Sequence, residues 1–241
     1  MADILKFLFI VFLILVLSAV GVLGYLGFIP GLSDVIGSNK PRNLGMQYSE
    51  ASFKSGLEKA AVDLKTLSAD APQIISYEGS HKVKTSFTDE ELTSHAAIKN
   101  WVGYPVSDVQ FRINEDNTAE VSGILKLTQI APFLQAMDIS QADFEEAMKE
   151  VKIPLRDVPF YAKGYGTAAN NSLDISVTNF EVGRFPVPQN LLSQYQDELA
   201  DFGESIMRNI PGFSVNEARF EDGTIFFDGE LPDVELTKKS L

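Results

Sequence analysis

The sequence predicts an α+β protein in which an N-terminal transmembrane helix precedes a domain of antiparallel, curved β-hairpins, with amphipathic helices packed on one face. Three observations predict this fold class. The chain of 241 residues begins with a long uncharged apolar run, hairpin patterns recur along the rest, and segments with apolar residues at helical spacing separate them. Parallel βαβ winding is the alternative, and it fits less well because the turns are short and the strands are two-sided.

The first element is the apolar run, which carries no charge from Phe7 to Ser33. Its 22 residues from Phe7 to Phe28 would form a helix about 33 Å long, enough to cross a hydrocarbon core of about 30 Å. A cleaved signal peptide has an apolar region of roughly 7–15 residues, so an uncleaved signal-anchor is favoured. Small residues in LSAVG keep cleavage open as the alternative.

The expected organisation follows from this anchor and from local composition. We predict a transmembrane anchor over residues 1–30, a linker rich in Pro, Gly, Ser and Asn over 31–46, an extracytoplasmic α+β domain over 47–235 and a tail over 236–241. Positive charges on the two sides of the anchor are nearly balanced. Long domains translocate largely regardless of charge, so we expect a single pass through the cytoplasmic membrane with the C-terminal domain outside.

Composition excludes several classes of function. The net charge of −13 argues against nucleic acid as a partner, because phosphate binding needs clustered Lys and Arg. It also argues against electrostatic recruitment to anionic lipid. The chain has no Cys, which excludes disulfides, thiolate metal sites and cysteine nucleophiles, and which fits a bacterial envelope protein.

Four segments of the outer domain are predicted to be amphipathic helices, over residues 48–67, 86–101, 140–151 and 190–212. Thr88 and Glu91 have the spacing of a capping box at the start of the second. The apolar stripes of the other three are expected to be core contacts, and they consist of Phe53, Leu57, Ala60, Leu64 and Leu67, then Phe144, Met148 and Val151, then Leu192, Tyr195, Leu199, Phe202 and Ile206.

Three hairpins lie between these helices. The first pairs residues 106–114 with 118–128, the second pairs 158–167 with 173–182, and the third is ARFEDGTIFFDGELP, whose turn is centred on Asp222-Gly223. Their strands alternate apolar and polar residues, as antiparallel strands with one covered face do. The glycines of KGYGT lie within a strand pattern and predict a kink or bulge.

The search for catalytic and metal motifs gives no site. The chain has no Gly-rich phosphate loop, nucleophile elbow or His-Glu-x-x-His motif. His81 and His95 have no visible catalytic partner and are expected to be surface or half-buried residues. Trp101 is expected to make a structural contact, with anchoring of a lid as the alternative. We therefore expect no cofactor, no metal site and no enzymatic activity.

Several segments between Ser86 and Pro232 resemble a known family. They are SFTDEEL, PVSDVQFRINEDNTAEVSG, VPFYAKGYGT, VTNFEVGRFPVPQNLL, IPGF and FEDGTIFFDGELP. They are similar to the YpmS-type family of uncharacterised, membrane-anchored proteins of Gram-positive bacteria. More distantly, they resemble the tubular lipid-binding (BPI-like) and AsmA-like envelope proteins. The resemblance implies a long curved sheet and, by analogy of fold, a lipid or other hydrophobic ligand.

The leading functional hypothesis is a membrane-anchored extracytoplasmic domain that binds a lipid-like ligand on the apolar side of its sheet. Desolvation of acyl chains would supply about 0.8 kcal/mol per buried methylene. The residues expected to line that site are Phe111, Ile113, Val121, Leu125, Phe160, Ile175, Val177 and Phe227. The alternative is an accessory or scaffold subunit of a larger membrane protein complex, and a carboxylate-dependent hydrolase is a third, weaker hypothesis.

Overall fold

The computed structural model describes residues 2–25, 30–99, 101–139 and 157–239. Its helices are α1 (Ala2–Tyr25), α2 (Pro30–Ile36), α3 (Glu50–Ala60), α4 (Asp89–Ile98), α5 (Leu127–Ala136), α6 (Gln189–Gln194) and α7 (Gln196–Arg208). Its strands are β1 (Asp63–Thr66), β2 (Ile75–Glu78), β3 (His81–Thr88), β4 (Val106–Ile113), β5 (Ala119–Leu125), β6 (Val158–Ala169), β7 (Ser172–Val182), β8 (Phe185–Pro186), β9 (Ser214–Glu221), β10 (Thr224–Leu231) and β11 (Val234–Thr237).

The main sheet is antiparallel and curved, which confirms the α+β prediction for the described part of the chain. Its central strand is the 12-residue β6, whose residues 160–169 pair with β7 along one edge. On the other edge, β5 pairs with residues 158–164 and β9 pairs with residues 167–169. Strand β4 continues the sheet beyond β5, and β10 and β3 continue it beyond β9.

A second, three-stranded sheet has the order β1-β11-β2, and sequence reasoning missed it. Strand β1 pairs with β11 in parallel, which is an exception to the antiparallel arrangement that was predicted. Strand β11 also crosses the boundary at which the tail was expected to begin. Beyond it, the Lys238 backbone N–H donates to the Ile74 carbonyl oxygen at 2.9 Å.

The three predicted hairpins are β4–β5, β6–β7 and β9–β10. At the tip of the third, Asp222 and Gly223 both have positive φ, as an Asp-Gly hairpin turn requires. The pairing of β6 with β7 shifts register between Lys163 and Gly164, so the predicted bulge is confirmed. A Cβ atom at Gly164 would lie 2.3 Å from the Ser176 carbonyl oxygen, and only glycine fits there.

The second strand of the first hairpin was predicted to reach residue 128, and this was wrong. Strand β5 ends at Leu125, and Leu127 begins helix α5, which sequence reasoning missed. Leu134 of α5 is 1% exposed, and the neighbouring Phe133 packs against the buried Trp101 at 6.2 Å between ring centroids. The burial of apolar side chains of α5 therefore stabilises a helix here more than pairing would stabilise a longer β5.

The helix predicted over residues 48–67 is shorter in the structure. Helix α3 ends at Ala60, Ala61 has a left-handed φ of 52°, and Leu64 lies in β1. The helix ends early because the backbone of residues 63–66 pairs with β11, which satisfies its hydrogen-bonding groups in a sheet instead of in a helix. The capping box of the second helix is confirmed, since Thr88 and Glu91 make both of its hydrogen bonds.

The helix predicted over residues 190–212 is divided at Tyr195 into α6 and α7. Its stripe was expected to be core, and three of its members are exposed instead: Tyr195 by 48%, Leu199 by 45% and Phe202 by 43%. Leu192 is buried as expected. The helix predicted over 140–151, with Phe144, Met148 and Val151, lies outside the described residues.

The segment expected to be a linker is attached to the main sheet along part of its length. It contains α2, and Leu44 is 5% exposed. Arg42 donates to both carboxylate oxygens of Glu181, at 2.6 and 2.8 Å, and its guanidinium lies 4.0 Å from the Tyr161 ring centroid. The chain just before the domain is therefore held against the polar face of β6 and β7.

Across the described residues, no helix was found with both the length and the apolar character that crossing a membrane requires.

Candidate hydrophobic ligand site

A mainly apolar cavity of about 280 Å³ lies between the two sheets and the helices α3 and α4. It is formed by segments that are distant in sequence. Its lining comprises Gly56, Leu57, Ala60, Val62, Leu64, Tyr77, Phe87, Glu91, Leu92, His95, Lys99, Ile210, Phe213, Leu231, Pro232 and Glu235. An apolar wall with a few converging polar groups is the usual character of a small-molecule site.

Strand register explains why these side chains meet. In the small sheet, Glu235 of β11 is opposite Leu64 of β1 on one side and Tyr77 of β2 on the other. The three therefore form one row on one face of this sheet. In the main sheet, Phe87 and Leu231 lie on the apolar face of β3 and β10, where they pack against the core around Phe227.

One ion pair lies in the cavity wall. The Lys99 ammonium donates to Glu235 Oε2 at 2.7 Å, and the two side chains are only 18% and 9% exposed. The other carboxylate oxygen, Glu235 Oε1, is buried and has no hydrogen-bond partner among the described residues. Buried polar atoms are normally paired, so this oxygen is a feature that requires an explanation.

Two further titratable groups in the wall are fixed by their surroundings. Burial lowers the pKa of His95 to about 4, with a smaller contribution from the Lys99 charge, so the imidazole is neutral at neutral pH. Burial favours the protonated form of Glu91. Hydrogen bonds from Lys59, Ser55 and the Thr88 backbone outweigh this effect, and the net pKa of Glu91 is lowered. The wall therefore contains an ion pair, a neutral imidazole and a second carboxylate that is already paired.

Lys99 also borders a larger and more polar cleft of about 710 Å³ on the other side of α4. That cleft is lined by Tyr104, Asp108, Gln110 and Lys126, among others. Lys99 thus borders both the apolar cavity and the more polar cleft.

The eight residues predicted to bind a ligand all lie on the apolar face of the main sheet. Pairing places Phe111 with Val121, Gly123 with Phe160, and Gly164 and Gly166 with Val177 and Ile175. Ile113 and Leu125 follow by alternation along their strands, and β10 carries Phe227. The 280 Å³ cavity is lined by other residues, however, so the structure does not bring these eight into it.

The residues that sequence reasoning missed are chiefly Glu235, Lys99 and Tyr77. In Val234-Glu235-Leu236, alternation alone places the glutamate on the face opposite its two apolar neighbours. The predicted domain boundary falls directly after Glu235, and no role was predicted for this residue. The signal that identifies Glu235 as an interior residue is its position between two other strands, which only the fold reveals.

The remaining candidates have structural roles. His81 contacts Asp233 Oδ1 at 2.8 Å and the Ala60 carbonyl oxygen at 2.9 Å, and thereby joins β3 to α3. Trp101 is 3% exposed and packs between Tyr104 and Phe133, as expected for a structural contact. In the part of the chain that the structure describes, no group of three or more His, Asp or Glu side chains is arranged to hold a metal ion.

A scan against protein-family models and searches of curated proteins and of solved structures found no match to this chain.

Proposed function

We propose that this protein is a membrane-anchored, extracytoplasmic domain that binds the hydrocarbon part of a lipid-like molecule in the cavity between its two sheets. The observation that supports this most directly is a mainly apolar cavity with one buried ion pair in its wall. This site replaces the sheet-wide surface expected from the sequence. Membership of the YpmS-type family stays a prediction from the quoted segments.

The cavity volume sets the size of the ligand. A water molecule occupies about 30 Å³ of liquid, and a methylene group is of similar size, so 280 Å³ holds about nine methylene groups. At about 0.8 kcal/mol each, their burial supplies on the order of 7 kcal/mol before the costs of association. Affinity for n-alkanols should therefore rise about fourfold per methylene and level off near ten carbons.

The test uses the full chain kept in amphipol, so that free detergent does not occupy the cavity. Dissociation constants for n-alkanols come from ligand-dependent thermal stabilisation. Gly56→Leu places a side chain into the cavity, where a Cβ atom meets only ordinary contacts of 3.5 Å or more. Glu58→Leu is the matched control, because Glu58 is on the same helix, is exposed and does not line the cavity.

Wild type and Glu58→Leu should bind decan-1-ol equally, and Gly56→Leu should bind it at least about tenfold more weakly. Failure of the wild type to bind any alkanol would refute the proposal. So would equal binding by Gly56→Leu, because the hydrocarbon would then lie elsewhere.

Anchoring to the membrane is the second part of the proposal. It is supported by the uncharged apolar run of the sequence from Phe7 to Phe28. Alkaline carbonate washing of membranes tests it, since an integral protein stays with the bilayer. Release of the full chain into the supernatant would contradict an anchor.

A second candidate function is an accessory subunit of a membrane protein complex. The observation that favours it is the exposed apolar stripe of α6 and α7, formed by Leu191, Tyr195, Leu199 and Phe202. Acidic residues next to this stripe, such as Asp197 and Asp201, disfavour an anionic lipid surface and favour a protein partner. The test is gentle extraction of the full chain from its native membrane, followed by a measurement of its size. If the wild type and the variant Leu199→Glu both migrate as monomers, this candidate function is contradicted.

A further inference from the structure

We propose that the ligand of the cavity carries an uncharged hydrogen-bond donor, a hydroxyl or amide group, which donates to Glu235 Oε1 beside Lys99. This inference rests on the proposed function and specifies the chemical class of its ligand. It distinguishes fatty alcohols, fatty amides and acylglycerols with free hydroxyls from free fatty acids.

The carboxylate of Glu235 is half satisfied. Oε2 accepts from Lys99 Nζ at 2.7 Å, and Oε1 accepts from none of the described residues, although the side chain is only 9% exposed. A buried acceptor without a donor is costly, more so when it carries charge. Glu235 lines the cavity, and Oε1 itself is covered, so the inference includes a turn of this side chain that brings the oxygen to the ligand's donor on binding.

Neighbouring protein groups do not fill this role. Burial and the charge of Glu235 raise the pKa values of both Tyr77 and Tyr104, that of Tyr104 to about 12. Both phenols therefore keep their protons at neutral pH, yet neither donates to Oε1. His95 lines the same cavity and is likewise not a partner of this oxygen.

Charge explains why the donor should be neutral. Lys99 and Glu235 already compensate each other, and the second carboxylate in the wall, Glu91, is paired with Lys59 at 2.8 Å. A carboxylate ligand would add an uncompensated anion to a mainly apolar site next to two glutamates, and an ammonium would add a cation beside Lys99. A hydroxyl or amide provides the missing donor at no cost in charge.

The experiment compares three ligands that share one chain length: decan-1-ol, its methyl ether and decanoate. Each is titrated against the full chain in amphipol by thermal stabilisation. Because a hydrogen bond to a charged group is involved, decan-1-ol should bind at least about tenfold more tightly than the ether and more tightly than decanoate. Glu235→Leu should remove the preference for the alcohol over the ether.

Removal of Glu235 alone leaves the Lys99 charge unpaired, so a second variant protects the test against misfolding. The double variant Lys99→Met with Glu235→Leu removes both charges and should bind alcohol and ether equally. Equal affinity of the wild type for alcohol and ether would mean that a water molecule serves Oε1. It would overturn this inference while leaving the hydrophobic site intact. Absence of binding by all three ligands would refute the proposed function itself.

Discussion

His95 makes the stability of the domain depend on pH in a predictable direction. Its pKa is lowered from 6.5 to about 4 by burial in the cavity wall, where it stacks on Phe53 at 5.9 Å between ring centroids. The unfolded chain therefore binds a proton near pH 6.5, and the folded chain does not. Stability is fully present above pH 6.5 and is lost as the pH falls toward 4.

The size of this effect follows from the two pKa values. Between pH 8 and pH 5, a shift from 6.5 to about 4 removes about 2 kcal/mol of unfolding free energy. This range lies above the region in which carboxylates with lowered pKa values, such as Glu91 and Asp228, lose their contribution. A loss between pH 8 and pH 5 can therefore be assigned to histidine.

The assay is urea unfolding of the full chain, followed by circular dichroism at pH 8, 7, 6 and 5. His95→Gln should flatten the profile across this range. His81→Gln is the matched control, because it removes the other histidine of the chain and retains His95, and it should keep the loss. A profile as steep in His95→Gln as in the wild type would show that the imidazole is solvated in the folded state, and the reasoning would be refuted.

Three further predictions concern single contacts and are measured by the same urea unfolding at pH 7. Thr88→Ala removes the capping box of α4 and should lower the unfolding free energy by about 1 kcal/mol; no change would mean that the cap is solvated. Arg42→Ala removes the ion pair with Glu181 and the contact with the Tyr161 ring, and it should lower the unfolding free energy by about 1–2 kcal/mol. Lys40→Ala should change it very little, and equal effects of the two variants would contradict a stabilising role for Arg42. Lys99→Met leaves a buried carboxylate unpaired and should cost about 3–5 kcal/mol, and adding Glu235→Leu should recover much of that loss; an additive loss would contradict the coupling.

The parts of the fold that the sequence predicts are those that local chemistry decides. Asp222-Gly223 closes a hairpin because glycine accepts positive φ, and Thr88 with Glu91 begins a helix because each side chain satisfies the other's backbone. Leu64 shows where this reasoning fails. Its spacing from Ala60 fits a helix, but pairing with β11, some 170 residues later, places it in a strand. The sequence pattern around Leu64 holds no information about a partner strand so distant along the chain.

The candidate site was predictable only in its general character. Alternation placed eight residues correctly on one face of the main sheet, because the period of a strand is local. The cavity lies where that face meets a second sheet, and its wall joins α3, β2, α4 and β11. Sequence reasoning had included β1 in a helix and had placed the start of the tail inside β11, so two of the strands that line the cavity were absent from the prediction.

An unpartnered buried atom is weak evidence when it stands alone, and the molecule offers a comparison. Trp101 Nε1 also lacks a partner among the described residues, but its ring is packed between Tyr104 and Phe133, and Trp101 does not line the cavity. Glu235 differs because it belongs to an ion pair, is buried within a strand and lines the mainly apolar cavity. A leucine at this position would suit its buried surroundings and would need no lysine. Desolvation makes a buried ion pair a weak source of stability, so its presence in this mainly apolar wall is an argument for a ligand rather than for stability.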